Sequence, residues 1–191
     1  MPVRPPRLHL QRLIDVSRSR DHFDALARVL GRRKFATVAT LGKDGRPHAT
    51  EVIYAMSEPG EPVCFYVTTR TATRKVHNIL ACPDVAFVVP LARISAPWFP
   101  PRAAQFQGTA EIVDGQEEGA LRAFNSSWFL RRILSTERRI VSRSGDLCFI
   151  RIRPDPVIFT YGVGMSVWKT LRRPKEAAGR IAIPADRLSE R

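Results

Sequence analysis

Acidic residues are the first shortage in this 191-residue chain: 18 Asp and Glu stand against 31 Lys and Arg, a formal net charge of +13. Cysteine is also scarce. Cys64, Cys82 and Cys148 are odd in number, far apart and without metal-type spacing, which argues against a disulfide framework or a zinc site. Cys64 and Cys148 sit inside apolar runs, where cysteine acts as a small buried hydrophobe, and a reducing cytoplasm is the expected setting. The four histidines (9, 22, 48 and 77) show no ligand spacing, so no metal site is expected. No apolar stretch approaches the roughly 18 residues of a membrane span. The N-terminus is basic but lacks an apolar core and a small-residue cleavage site, so no secretory signal is expected.

The location of the basic excess decides what it means. Residues 1–34 hold nine Lys/Arg against three Asp/Glu, residues 35–120 seven against nine, and residues 121–191 fifteen against six. A charge of this size attracts polyanions. Yet no helix-turn-helix, zinc-finger or aromatic RNA-binding motif accompanies it, so nucleic acid is not the expected partner.

What is present is alternation. A short helical period (Phe23, Leu26, Ala27, Leu30) covers 21–31 and stops at Gly31. Strands are then expected over Lys34–Leu41 and His48–Met56, joined through Asp44-Gly45, a strong hairpin signal. A third follows at Val63–Thr69. Residues 71–81 read as a helix with Ala72, Val76, Ile79 and Leu80 on one face, ended by Pro83. Further strands are expected near 84–91, 104–112, 146–153 and 156–161. One helix carrying Leu121, Phe124, Trp128 and Phe129 should run to about 139. About seven strands and three helices imply a mostly β (α+β) fold in one domain. The expectation is a six- to seven-stranded antiparallel split β-barrel over 35–161, with peripheral helices, a basic arm at 1–20 and a C-terminal extension at 162–191.

The stretch FYVTTRTATRKVHNIL at 65–80 places threonines and three cations where a strand meets a helix. A helix N-terminus offers unpaired N–H groups and the positive end of the macrodipole, so the stretch suits a phosphate. From chemistry alone the alternative is a solvated turn, an N-cap threonine followed by two exposed cations, a common pattern on any helix.

The order FATVATLGKDGRPHATEVIYA, VCFYVTT, TATRKVHNILACPDVAFVVP resembles the pyridoxamine 5′-phosphate oxidase-like superfamily of FMN-binding split barrels. The resemblance rests on three features: DGRPHAT, the Thr-x-x-x-Thr-Arg-Lys turn at 69–75, and the Asn-x-x-x-x-Pro-x-Val spacing at 78–85. It implies that Thr68, Thr69, Arg74 and Lys75 hold a flavin phosphate and ribityl chain, with the Thr73 hydroxyl, a donor at the helix start, added to the candidate set. The strand Thr50, Glu51, Val52 and Ile53 would run beside the ring. It also implies FMN as cofactor, a small-molecule substrate, and a homodimer binding flavin between subunits. No catalytic side chain is expected. Arg70 falls where the family pattern carries no fixed charge and stays outside this set.

Two departures bear on activity. Ala103 stands where the oxidase has a glutamine, and Gln105, on the same strand face, is the substitute candidate. Trp168 matches a family tryptophan, but KTLRRPKEAAGR lacks the histidine that serves pyridoxal phosphate. These departures disfavour the pyridoxamine phosphate oxidase reaction itself. The expectation is a flavin-dependent oxidoreductase. The alternatives are a deazaflavin (F420) reductase, whose acidic tail would suit a basic rim, and a non-catalytic flavin or haem binder.

Overall fold

A computed structural model describes residues 7–91, 102–140, 146–163, 172 and 178–188, with backbone alone at 7–19 and 140. Helix α1 (Arg7–Arg32) precedes strands β1 (Phe35–Leu41), β2 (Pro47–Met56) and β3 (Phe65–Arg70). Helix α2 (Arg74–Ala81), strands β4 (Asp84–Pro90) and β5 (Ala103–Asp114), and helices α3 (Glu118–Asn125) and α4 (Trp128–Ile140) follow. Strands β6 (Leu147–Pro154), β7 (Val157–Tyr161) and β8 (Ala178–Ala182) complete the sheet. None of the described helices is long and apolar enough to cross a membrane.

Six strands close into an antiparallel barrel. The sheet order β4-β1-β2-β3-β6-β5 returns on itself through β4–β5 pairing, and β7 and β8 extend from the far end of β5. The β1–β2 hairpin forms as its turn residues require. Gly45 takes the left-handed φ of 73°, its N–H donates to Gly42 O at 2.9 Å, and Asp44 Oδ1 accepts from Arg46 N–H. β6 and β7 are one strand beside β5, broken at Pro154-Asp155-Pro156, where Asp155 N–H still reaches Gln107 O at 2.8 Å. Gly108 is needed where β5 meets β6, because a Cβ there would strike the Arg153 carbonyl.

Strand alternation fills the interior with Tyr54, Phe65, Phe87 and Phe106, whose ring centroids lie 4.8 to 5.7 Å apart. Each such ring fully buried contributes on the order of 1.5–3 kcal/mol. Phe23, Leu26 and Leu30 of α1 join this core, and Tyr54 O–H donates to Leu30 O at 2.6 Å. Ile79 of α2 joins it too, while Asn78 Nδ2 donates to Thr40 Oγ1 at 2.9 Å. A second core lies outside the barrel, where α3 and α4 cover Ala55, Tyr66 and Phe149 with Phe124, Leu130 and Leu134.

Several sequence expectations change. The helix expected over 21–31 begins at Arg7. That expected over 71–81 begins only at Arg74, and its buried face is Val76, Asn78 and Ile79; Leu80 is 71% exposed. The single helix through 139 is two, because Ser126 ends α3 and Ser127 Oγ accepts the N–H of Leu130 at the start of α4. Trp128 is left exposed at that corner. Strand β8 was not expected at all.

Candidate functional site

The barrel is split between β2 and β3. β2 pairs with β1 along Pro47–Ile53, but with β3 only through Tyr54, Ala55 and Met56. Past Tyr54 opposite Val67 the two strands part, so Ile53 and Thr68 are the first residues on either lip. β3 continues beside β6, with Thr68 opposite Phe149 and Arg70 opposite Leu147. The structure therefore sets Thr50, Glu51, Val52 and Ile53 on one side of the opening and Thr68 to Lys75 on the other.

These residues differ in what they offer. Thr50 and Glu51 are exposed, Ile53 is half-buried, and Val52 points into the barrel core, so only its backbone faces the opening. On β3, Phe65, Val67 and Thr69 alternate inward, while Tyr66, Thr68 and Arg70 take the outer face. Thr73 Oγ1 donates to Arg70 O at 2.9 Å, which leaves Thr69 Oγ1 to donate to Thr73 at 3.2 Å. Both hydroxyls brace the turn. Because Thr73 turns back, it makes no side-chain cap on α2; its carbonyl accepts the Val76 N–H at 3.0 Å, which leaves the N–H groups of Arg74 and Lys75 as the first-turn donors without a backbone partner among the described residues.

The Thr68 hydroxyl is buried without a hydrogen-bond partner, and so is Arg70 Nε. Such groups are costly to leave unpaired and are common where a ligand belongs. Arg70 spends its other end on Glu137 of α4, at 3.2 Å. Arg74 is exposed and makes no ion pair among the described residues. Lys75 is half-buried, and burial pushes its ammonium below the ordinary range; nearby Cys148 and Glu137 oppose that shift and Arg70 adds to it. An anion at this spot would meet a buried hydroxyl, two cations with open valence and helix-terminal N–H groups. The donor set fits a phosphate.

Gln105 lies elsewhere in the chain. It is exposed on β5 between Val88 of β4 and Phe159 of β7, and β5 is three strands from β2 whichever way round the barrel one counts. One chain cannot bring it to the opening. Trp168 lies outside the described residues. Sequence reasoning missed Glu137, whose place opposite Arg70 depends on how α4 docks; the 67-residue separation carries no local signal.

A cleft of about 620 Å³ among the described residues is not this opening. It lies between α1, the turn after β2, and Arg187. Its charges mix signs, and its cations already donate to backbone carbonyls: Arg28 to Asp24, Lys34 to Gly31, and Arg187 to Glu61. It offers no uncommitted donor set comparable with that at the split.

Comparison with known proteins agrees with the topology. A family model described as pyridoxamine 5′-phosphate oxidase matches residues 23–161. No curated protein matches. Among solved structures, the conserved hypothetical protein Rv2991 from Mycobacterium tuberculosis is 26% identical, with a TM-score of 0.51, covering 69% of this chain and 79% of that one. HutZ, the heme storage protein from Vibrio cholerae, is 18% identical with a TM-score of 0.57, covering 73% and 94%. A heme binding protein from Mycobacterium smegmatis is 15% identical with a TM-score of 0.56, covering 95% of this chain and 60% of that one. The last two likenesses are of fold alone. A six-stranded closed barrel with an open β2–β3 edge, in a chain whose residues 23–161 match the family model, makes this protein a member of the pyridoxamine 5′-phosphate oxidase family.

Proposed function

We propose that this chain is an FMN-binding oxidoreductase that works as a homodimer, with the cofactor at the β2–β3 opening of one subunit and the face of β5 from the other. The observation that carries this reading is the buried, unpartnered Thr68 hydroxyl beside Lys75, Arg74 and the α2 N-terminus, which has no side-chain cap. Arg74 supplies a planar fork and Lys75 a point charge for the phosphate. The exposed backbone of Thr50 to Ile53 would lie along the ring. A second subunit is what would bring Gln105, exposed on β5, near the opening.

The barrel has a face suited to that contact. The middle outward positions of β1 and β4 and the first half of β5 carry Thr37, Ala39, Ala86, Val88, Gln105 and Gln107, uncharged and all accessible to solvent, with Asp84 at the start of β4 at their margin. Such a surface, depleted in charge, resembles the middle of a subunit interface.

When bound, FMN supplies reversible electron transfer to and from organic substrates. The chain's part is to anchor the phosphate, position the ring against backbone groups, and close the site with a second copy. None of these tasks needs a general acid or base from the protein. The purified protein should carry or take up flavin with its characteristic visible spectrum. The variant Arg74→Ala plus Lys75→Ala should lose at least tenfold in FMN affinity, the scale of one charged hydrogen bond. Unchanged affinity, or a haem band in place of flavin, would overturn the proposal.

A further inference from the structure

We propose that Arg70 is an additional phosphate ligand at this opening and that Glu137 sets how tightly a dianion is held there. The inference rests on the FMN reading above and concerns a residue that the family pattern leaves without charge.

Thr68 and Arg70 stand two residues apart on the same outer face of β3, about 7 Å along the strand. They contribute the two buried side-chain polar atoms, Thr68 Oγ1 and Arg70 Nε, that lack a partner among the described residues. One such atom is a local flaw; two on one strand face, at the lip of an opening, point to a shared acceptor. A guanidinium has five donors in a fixed fork, and Arg70 spends Nη2 on Glu137 while Nε stays uncommitted. A phosphate oxygen reaching Thr68 would complete that fork.

Glu137 explains why Arg70 is in place before any ligand arrives. It extends from α4 across the end of β3, with both partners about one-quarter exposed. Its charge also bears on Lys75, so one carboxylate faces two of the cations that a phosphate would use. It thus pre-aims Arg70 and opposes an incoming anion at once. Neutralising it should strengthen phosphate binding, provided Arg70 remains.

The test separates phosphate from ring by titrating the full-length protein with FMN and with riboflavin, which lacks the phosphate. Wild type should prefer FMN. Arg70→Ala should reduce FMN affinity about tenfold or more and leave riboflavin affinity unchanged. Arg70→Lys, which keeps the charge and removes Nε, should lose most of the same preference. Glu137→Gln should tighten FMN several-fold and not riboflavin. Should Arg70→Ala fail to fold with Glu137 unpaired, Arg70→Gln plus Glu137→Gln is compared with Glu137→Gln alone and should bind FMN about tenfold more weakly than it, with riboflavin affinity unchanged. If wild type binds both flavins equally, the phosphate site itself is wrong. If wild type and Glu137→Gln prefer FMN equally, and every Arg70 variant keeps that preference, only the roles of Arg70 and Glu137 fall.

Discussion

The barrel has two unlike outer faces. Over β3, β6 and part of β2, helices α3 and α4 build a second core, and the charges beside it are paired. Arg151 bonds Glu111 and reaches Glu117 at 3.1 Å, and Arg153 meets Glu111 at 2.6 Å. Over the middle of β1 and β4 and the near half of β5, the outward side chains are alanines, Thr37, Val88 and glutamines, all accessible, with the charge of Asp84 at the start of β4. A covered face buries aromatics and balances its charges. A face left bare but depleted in charge is what a second copy of the chain would cover. The split lies where the covered face ends.

This contrast can be broken on either side. The largest expected effect is on the covered face: Phe149, fully buried with its ring 5.4 Å from that of Phe124, anchors α3 to the sheet. Phe149→Ala should cost about 3–5 kcal/mol, read from denaturant unfolding. On the bare face, the single substitution Ala86→Arg should hardly change monomer stability, within roughly 0.5 kcal/mol. It should nevertheless weaken self-association tenfold or more by sedimentation, a loss of about 1.4 kcal/mol, and lower FMN affinity with it. A variant that stays dimeric would move the interface elsewhere.

The smallest effect concerns acid. Burial works to raise the Glu111 pKa, but the hydrogen bond from Arg151 and the charges of Arg151 and Arg153 outweigh it and hold the pKa below the usual value. A carboxylate depressed in the folded state stabilises the protein above its unfolded pKa. That contribution is lost as pH falls through the folded value. Stability should therefore decline below the ordinary carboxylate range, and Glu111→Gln should flatten that decline in thermal unfolding across pH. An equally steep decline in the variant would show that other carboxylates dominate.

The barrel strands were legible because alternation is a local property. β1 and β4 repeat buried and accessible positions without a break, and Asp44-Gly45 marks its own turn. β8 was not legible: AGRIA is short, and Gly179 is there because any Cβ would strike Thr160 Oγ1 on the neighbouring strand. The α3–α4 break turns on two serines, whose capping shows only in three dimensions. At the site, the sequence placed Arg74, Lys75 and Thr68 near one another. It did not show that Thr69 and Thr73 spend their hydroxyls on the turn. Nor did it show that Val52 faces inward, or that Arg70 is tied to α4. Those facts depend on docking across long chain separations.

The central claim is that the phosphate of FMN sits at the β2–β3 opening. A crystal structure of the full chain grown with FMN tests it most directly. The account predicts phosphate density within hydrogen-bonding distance of Thr68 Oγ1, Lys75 Nζ and Arg70 Nε, with Gln105 of a second subunit facing the ring. Flavin in the cleft beside Arg28 and Lys34, with the split empty, would contradict it.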